Sequence, residues 1–401
     1  MSAPGDVLDV AIVGYGPVGQ ALALLLGQRG RRVGVFEKQP AAYPLPRAVH
    51  FDHEVARILQ AAGLGDVLPR LSEPADVYEW KNGTGETLLR IGSNPVGLSG
   101  WPEANMFSQP DLERELDARV RALPSVDVRR GAEVVELEPS DGAVALVFAD
   151  ADGRRTGTRA RWVVGCDGAN SFVRRRLGVP VTDLGFFFDW LIVDVVPKEP
   201  RLWNPINGQI CDPARPTTVV SGGPGRRRWE FMRLPGEDVA ALNTEATAWR
   251  LLEPWALHPG NAVLERHAVY TFHARWVDEW RKGRVLLAGD AAHQMPPFAG
   301  QGMCAGIRDA ANLAWKLDLV LGGKAADGLL DTYPTERIPQ VRQVIEFSIE
   351  LGKVICVADP AQAAARDAAM IATARETGPT PPLPTPAIGP GALRAGDAQA
   401  G

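Results

Sequence analysis

The chain of 401 residues is 45% hydrophobic and 23% charged, which at roughly 150 residues per domain allows two or three domains with a large core. Its 43 Lys and Arg against 48 Asp and Glu leave a formal charge of −5, which argues against nucleic acid as a partner. The start (MSAPGD) sets no basic segment ahead of an apolar stretch, no window is apolar enough to span a membrane, and Cys166, Cys211, Cys304 and Cys356 form no Cys-x-x-Cys pair, so a cytoplasmic protein with free, mostly buried thiols, no metal site and no membrane partner is expected.

Leu8 to Val13 is an apolar run too short for a helix, followed by Gly14-Tyr-Gly-Pro-Val-Gly19 and the Ala/Leu-rich stretch Gln20 to Leu26. This order predicts strand, tight turn and helix. Arg32 to Phe36 is a second strand that stops at Glu37 and completes a βαβ unit. Asp52 caps a helix whose apolar positions Val55, Ile58, Leu59 and Ala62 share one face before Gly63 ends it. From Glu133 to Val164 three β-rich runs, separated by Asp141-Gly142 and Asp152-Gly153, predict a meander with tight turns. Val179 to His273 is rich in aromatics and in alternations such as Arg228-Trp-Glu-Phe231, which predicts a second, sheet-rich domain; Arg226-Arg-Arg228 after Gly222-Gly-Pro-Gly225 reads as a solvated cluster beside a β-turn. Arg284 to Ala288 is again a buried strand, followed by a Pro/Gly loop, a helix from Gly302 to about Leu321 and another from Tyr333 to about Val357, with Pro339 near its start. The tail from Pro379 is Pro/Gly/Ala-rich and is not expected to pack.

Within Gly14-x-Gly16-x-x-Gly19, Gly14 permits the turn, Gly16 lets a pyrophosphate approach the backbone and Gly19 lets helix and strand pack closely, while Pro17 opens a helix whose N-terminus faces the phosphates. Glu37 stands eighteen residues after Gly19, at the strand end where a carboxylate accepts both hydrogen bonds of a ribose diol. Gly222-Gly-Pro-Gly225 lacks this spacing, so one stable dinucleotide site is expected.

Gly14-x-Gly-Pro-x-Gly19, Cys166-Asp-Gly-Ala-Asn-Ser-x-Val-Arg174 and Arg284-Val-Leu-Leu-Ala-Gly-Asp-Ala-Ala-His293 resemble, in this order, the three fingerprints of the class A FAD-dependent aromatic hydroxylases. Pro46-Arg-Ala-Val-His50, Pro296-Pro-Phe-Ala-Gly-Gln-Gly302 and Arg308-Asp-Ala-Ala-Asn-Leu-Ala-Trp-Lys316 are most similar to the 3-(3-hydroxyphenyl)propionate hydroxylase branch, and the resemblance covers about residues 8 to 357. It implies an α/β protein with a Rossmann-like FAD-binding domain of the GR2 type (p-hydroxybenzoate hydroxylase fold) built from 1–75, 103–178 and 274–357. A mainly antiparallel β-sheet substrate domain, 76–102 and 179–273, is inserted into it. A helix remnant and the tail fill 358–401, where members of this branch carry a further thioredoxin-like domain. The implied cofactor is tightly bound, non-covalent FAD, with NAD(P)H as a transient co-substrate and O2 as oxidant; a homodimer is compatible.

Carried over by motif, Glu37, with Lys38 beside it, holds the adenosine ribose, and Arg47 and Gln109 approach the pyrophosphate. Asp290 bonds the ribitol, Asp167 serves FAD and the incoming nicotinamide, and Pro297, Gly300, Gln301 and Gly302 lie against the isoalloxazine. Glycine at 300 and 302 also suits close approach of backbone N–H groups to a flat anionic ring edge. Ring hydroxylation implies a small aromatic substrate, hydroxyphenylpropanoate-like or an aromatic polyketide, and a base for its phenol. His50 leads among the histidines, with His273 or Tyr270 as further substrate contacts; His293 reads as structural. Phe186 to Phe188, Trp190, Trp229 and Phe231 line a flat pocket or form sheet core. An FAD reductase or halogenase and a non-catalytic flavin sensor are alternatives, although the Trp-x-Trp-x-Ile-Pro motif of halogenases is missing.

Overall fold

The structure is a computed structural model that describes residues 7–140, 142–377 and 387–392. In its first sheet Leu8–Val13 lies at the centre, parallel to Arg155–Gly165 on one side and to Val33–Glu37 on the other. Val126–Arg130 extends it in parallel, and Val285–Leu287 pairs in parallel with the far side of Arg155–Gly165. A strand enclosed on both faces reads as a continuous apolar run, which is what the strand is from Val10 to Val13, past the partly buried Asp9. The helix Pro17–Gly27 is buried over nearly its whole length, because Gly302–Leu321 and Gln109–Arg121 both pack on it. Glu133–Ser140, Ala143–Ala149 and Arg155–Gly165 form the antiparallel meander. Gly153, at φ +77°, makes its second turn and Gly142, at φ +66°, sits at the first, whose other turn residue, Asp141, lies outside the described residues.

The second sheet takes its strands from 77–92, 181–277 and 293–294. Val181–Pro197 and Ala262–Val277 run antiparallel along nearly their full lengths toward one edge, with only the two-residue strand His293–Gln294 outside them. Side chains alternate between the faces. On one face Leu191, Val193, Trp229 and Phe231 pack under Leu242, Ala248 and Leu252 of two short helices. The opposite face turns toward the first sheet's domain and carries three cross-strand rows. Arg266, Asp194 and Arg228 form the first; Ala268, Ile192, Glu230, Thr218, Gln209 and Trp80 the second; Tyr270, Trp190 and Met232 the third.

Two expectations are corrected here. Arg227 and Arg228 are not solvated: each is 2% exposed, because strand Arg227–Met232 is paired on both sides inside the sheet. Asp194 neutralises Arg228, while Arg227 lies over the Trp203 ring and donates to the Pro205 carbonyl. The tail also packs where it is described. The N–H of Gly389 donates to the Glu336 carbonyl at 2.8 Å and that of Ala392 to Glu336 Oε1 at 2.8 Å. Glycine is what permits this contact, since a Cβ at Gly391 would stand 2.2 Å from the Glu336 carboxylate.

Asp309, fully buried on helix Gly302–Leu321, accepts from Gly289 N at 3.0 Å, bonds His293 Nε2 at 2.7 Å and accepts from Arg337 Nε at 2.8 Å. Burial opposes its charge, but Arg337 and His293 outweigh burial and hold its carboxyl below the usual range. His293 is thereby structural. Asp309→Ala should destabilise the fold by about 3–5 kcal/mol, since it leaves the buried Arg337 unpaired. Urea denaturation at pH 7 reads this loss. Because the folded-state pKa is depressed, the contribution of Asp309 is present above the ordinary carboxylate pKa and fades as pH falls through the folded value.

Candidate active site

The three fingerprint segments meet around the N-terminus of helix Pro17–Gly27. Gly14, at φ +99°, lies so close to the second segment that a Cβ there would stand 2.4 Å from the Cys166 carbonyl oxygen. Gly289 and Gly306 close in the same way on Val18 in the first turn of the helix. Pro17 occupies the opening turn, where its missing N–H costs nothing, and no side chain caps that end. Its free N–H groups and dipole therefore favour an anion. The nearest atom to a Cβ built on Gly16 is Arg47 Nη2, at 4.0 Å. A helix N-terminus, an open backbone and a guanidinium thus face one gap, which fits a pyrophosphate.

Glu37 is pinned at its strand end, Oε2 accepting from Tyr15 N and Oε1 from Gln39 N, each at 2.8 Å. Each oxygen keeps a lone pair, as recognition of a diol requires. Lys38 beside it is exposed. The carboxylate of Asp167 accepts from Ser171 Oγ and Val173 N and so holds the turn into helix Phe172–Leu177. Asp290 opens onto the cleft but is walled in by protein on its other sides. That burial raises its carboxyl pKa against the pull of His293, Arg47 and Arg174.

Gln109 spends its amide on the loop before His50. Its Oε1 accepts from Arg47 N at 3.0 Å and from Ala48 N at 2.7 Å, while Nε2 donates to Glu113. From the second sheet, Arg228 donates to the carbonyls of Pro46 and Arg47, each at 2.7 Å, and Arg266 adds a bond to Pro46. Arg228 is itself paired with Asp194 at 2.7 and 2.9 Å. Sequence reasoning missed Asp194, Arg228, Glu230 and Arg266. For Arg228 and Glu230 the available signal was charge alternating with the aromatic Trp229 and Phe231.

The segment 296–302 forms the opposite wall. Gly300, at φ +63°, follows the turn Pro297–Ala299. The carbonyl of Gly300 lies 3.2 Å from His50 Nδ1. A carbonyl only accepts, so Nδ1 carries the proton and the neutral ring keeps its lone pair on Nε2. Burial lowers the His50 pKa, with Asp52 and the Gly300 carbonyl opposing and Arg308 adding to the shift. Gln301 bonds Asp52 through Nε2 and accepts from Arg308 through Oε1, so it offers the cleft main chain only. Gly302 opens a twenty-residue helix without a side-chain cap.

Strand parity sorts the remaining candidates. Tyr270 is on the face turned toward the cleft, under the Arg266 guanidinium at 4.8 Å. His273, three residues on, falls on the opposite face with its pairing partner Phe187, which is 62% exposed. The structure therefore does not bring His273 to Tyr270 or to the cleft. The aromatics divide likewise. Phe186 and Trp190 pack edge-on to Phe298 of the 296–302 segment, at 6.4 and 5.8 Å, whereas Trp229 and Phe231 are core on the far face. The four cysteines are free thiols. Among the described residues no cluster of His, Cys, Asp or Glu could hold a metal, and no helix is long and apolar enough to cross a membrane.

The "FAD binding domain" family model matches residues 7–348. A probable NADH-specific resorcinol 4-hydroxylase of Rhodococcus jostii (strain RHA1) is 44% identical over 387 residues, covering 96% of this chain and 73% of that protein. A 3-(3-hydroxy-phenyl)propionate/3-hydroxycinnamic acid hydroxylase of Mycobacterium sp. (strain KMS) is 41% identical over 360 residues; the match covers 90% of this chain and 62% of that longer protein. The crystal structure of p-nitrophenol 4-monooxygenase PnpA from Pseudomonas putida DLL-E4 superposes with a TM-score of 0.81 at 27% identity, covering 91% of this chain and 93% of that one.

Asp290→Ala should leave the purified protein with markedly less FAD than His50→Ala, because it removes a polar partner from the cleft floor, whereas His50 is bonded to protein. The ratio of flavin to protein absorbance after gel filtration reads the difference. Equal retention would exclude Asp290 as a cofactor ligand.

Proposed function

The chain belongs to the FAD binding domain family and, within it, to the class A flavoprotein aromatic hydroxylases, and on that premise we propose that it hydroxylates a phenolic ring as an FAD-dependent monooxygenase using NAD(P)H and O2. The observation that carries the proposal is the convergence of three fingerprints on one cleft that is roofed by a sheet face of buried aromatic and polar side chains. When bound, FAD supplies the electron transfer and the oxygen chemistry. The residues of this chain bind it, orient the substrate and exclude water.

In this scheme Glu37 accepts from the adenosine ribose, and Gly16, Arg47 and the first turn of helix Pro17–Gly27 hold the pyrophosphate. Asp290 takes the ribitol, and the main chain of 300–302 lies against the ring system. Gln109 acts through the main chain of Arg47 and Ala48, and Asp167 through the 166–173 turn; both are positioning residues. His50 is the base. Its Nε2 takes the phenolic proton, which raises the electron density of the ring at the carbon to be oxygenated. A base whose proton-free form prevails at neutral pH suits this task, and burial supplies it.

The test is NADH and NADPH oxidation by the FAD-loaded protein against a panel of phenols, with hydroxylated product measured beside peroxide. Stimulated oxidation with matching product is expected; bound FAD with no phenol-dependent oxidation would overturn the proposal. His50→Gln can still donate to the Gly300 carbonyl but holds no base, so it should keep FAD and lose roughly 10²-fold or more in hydroxylation rate. In the wild type the rate should fall as pH drops through a His50 pKa below the ordinary 6.5. That acid limb should be missing in the variant.

A further inference from the structure

The three rows on the cleft-facing side of the second sheet have different neighbours. The first row, Arg266–Asp194–Arg228, is tied to the main chain of Pro46 and Arg47. The third, with Tyr270 and Trp190, reaches Phe298 of the 296–302 segment through the Trp190 ring. The middle row lies between these attachments. It runs from Ala268 and Ile192 through Glu230, Thr218 and Gln209 to Trp80. Thr218 Oγ1 donates to Gln209 Oε1 at 2.8 Å, and Gln209 Nε2 donates to Tyr78 Oη at 2.8 Å. The carboxamide is therefore fixed in orientation, and Tyr78 presents its hydroxyl at the end of a polar chain.

Glu230 is different. It is 8% exposed, and its closest ionic partner is Arg228 Nη1 at 3.7 Å, beyond hydrogen-bond reach. Arg228 has already committed four of its five N–H groups to Asp194, Pro46 and Arg47. Burial raises the Glu230 pKa against the pull of Arg228. A buried carboxylate with unused acceptor positions is costly unless a donor arrives. The donor that matches an aromatic cleft is a hydroxyl on the ring.

Resting on the hydroxylase assignment above, we propose that Glu230 is a specificity-determining residue that accepts a hydrogen bond from a second ring hydroxyl, so that the cleft selects dihydric over monohydric phenols. Tyr78 and Gln209 complete the polar edge of the same subsite.

Calorimetric titration of the FAD-loaded, oxidised protein at pH 8, without NADH, tests this with resorcinol and phenol as probes. In the wild type resorcinol should bind about tenfold tighter than phenol, as expected for a hydrogen bond to a charged acceptor. Glu230→Leu should bring the resorcinol-to-phenol affinity ratio to within about twofold of one, while phenol itself changes little; a merely structural role would move both phenols together. If the leucine variant fails to hold FAD, Glu230→Gln decides, with a ratio reduced at least threefold. An unchanged ratio in the variants, equal wild-type binding of the two phenols, or binding of neither would overturn the role of Glu230. Phenol-stimulated NADH oxidation, measured in parallel, reports separately on the hydroxylase assignment. Stimulation with an unchanged ratio sinks only the role of Glu230, whereas no stimulation by any phenol sinks the assignment itself.

Discussion

A guanidinium sealed from water keeps its charge only when its protons find acceptors, and Arg228 meets that condition only when separate stretches of chain come together. Asp194 supplies the countercharge from the neighbouring strand, and the Pro46–Arg47 segment supplies two carbonyls from the other domain. The sheet cannot shift against the dinucleotide site without giving up several charge-assisted hydrogen bonds at once. Gln109 grips the same segment from the other side through the N–H groups of residues 47 and 48. Residue 47 is thus fixed by both its donor and its acceptor, while its side chain crosses to Gly16 and stacks at 5.3 Å on Tyr43.

The same device recurs deeper in the molecule. Asp309 joins Gly289, His293 and Arg337, and so sets the turn that presents Asp290. Lys316 and Glu336, both fully buried, join two long helices at 2.7 Å. Each knot contains more than one bond, and removing one partner of a buried ion leaves a charge that the remaining bonds compensate only in part. The cleft is therefore framed by units that form completely or fail together.

The glycines were legible in the sequence because their demands are first local: Gly14 takes φ +99°, and a Cβ at Gly19 would strike the Gly14 carbonyl at 2.2 Å, whereas the close approach of Gly14 to Cys166 is a consequence of the fold. The βαβ unit and Glu37 followed from the same short-range logic. Register between strands far apart in the sequence was not legible. Arg228-Trp-Glu-Phe231 announced two faces but not that the charged one is buried, since burial depends on pairing with strands that begin at Val181 and Thr217. The three-residue separation of Tyr270 and His273 already implied opposite faces, once both are placed on one strand. Gln109 illustrates a different obstacle. Its position in the motif was readable, but the engagement of its amide with the 47–48 main chain depends on how the loop before His50 folds back.

The division of one sheet face into three rows also bears on how such a protein changes over time. Two rows are bound to the walls that cradle the cofactor, and an exchange there disturbs the frame. The polar members of the middle row, Thr218, Gln209 and Glu230, sit between them, and the side-chain hydrogen bonds of Thr218 and Gln209 stay within the sheet. Substitutions confined to this row can alter the shape and polarity presented to a guest molecule while the flavin cradle stays intact. Recruitment of this scaffold to new aromatic compounds is then a matter of a few side chains on adjacent strands, reached one mutation at a time without passing through an unfolded ancestor.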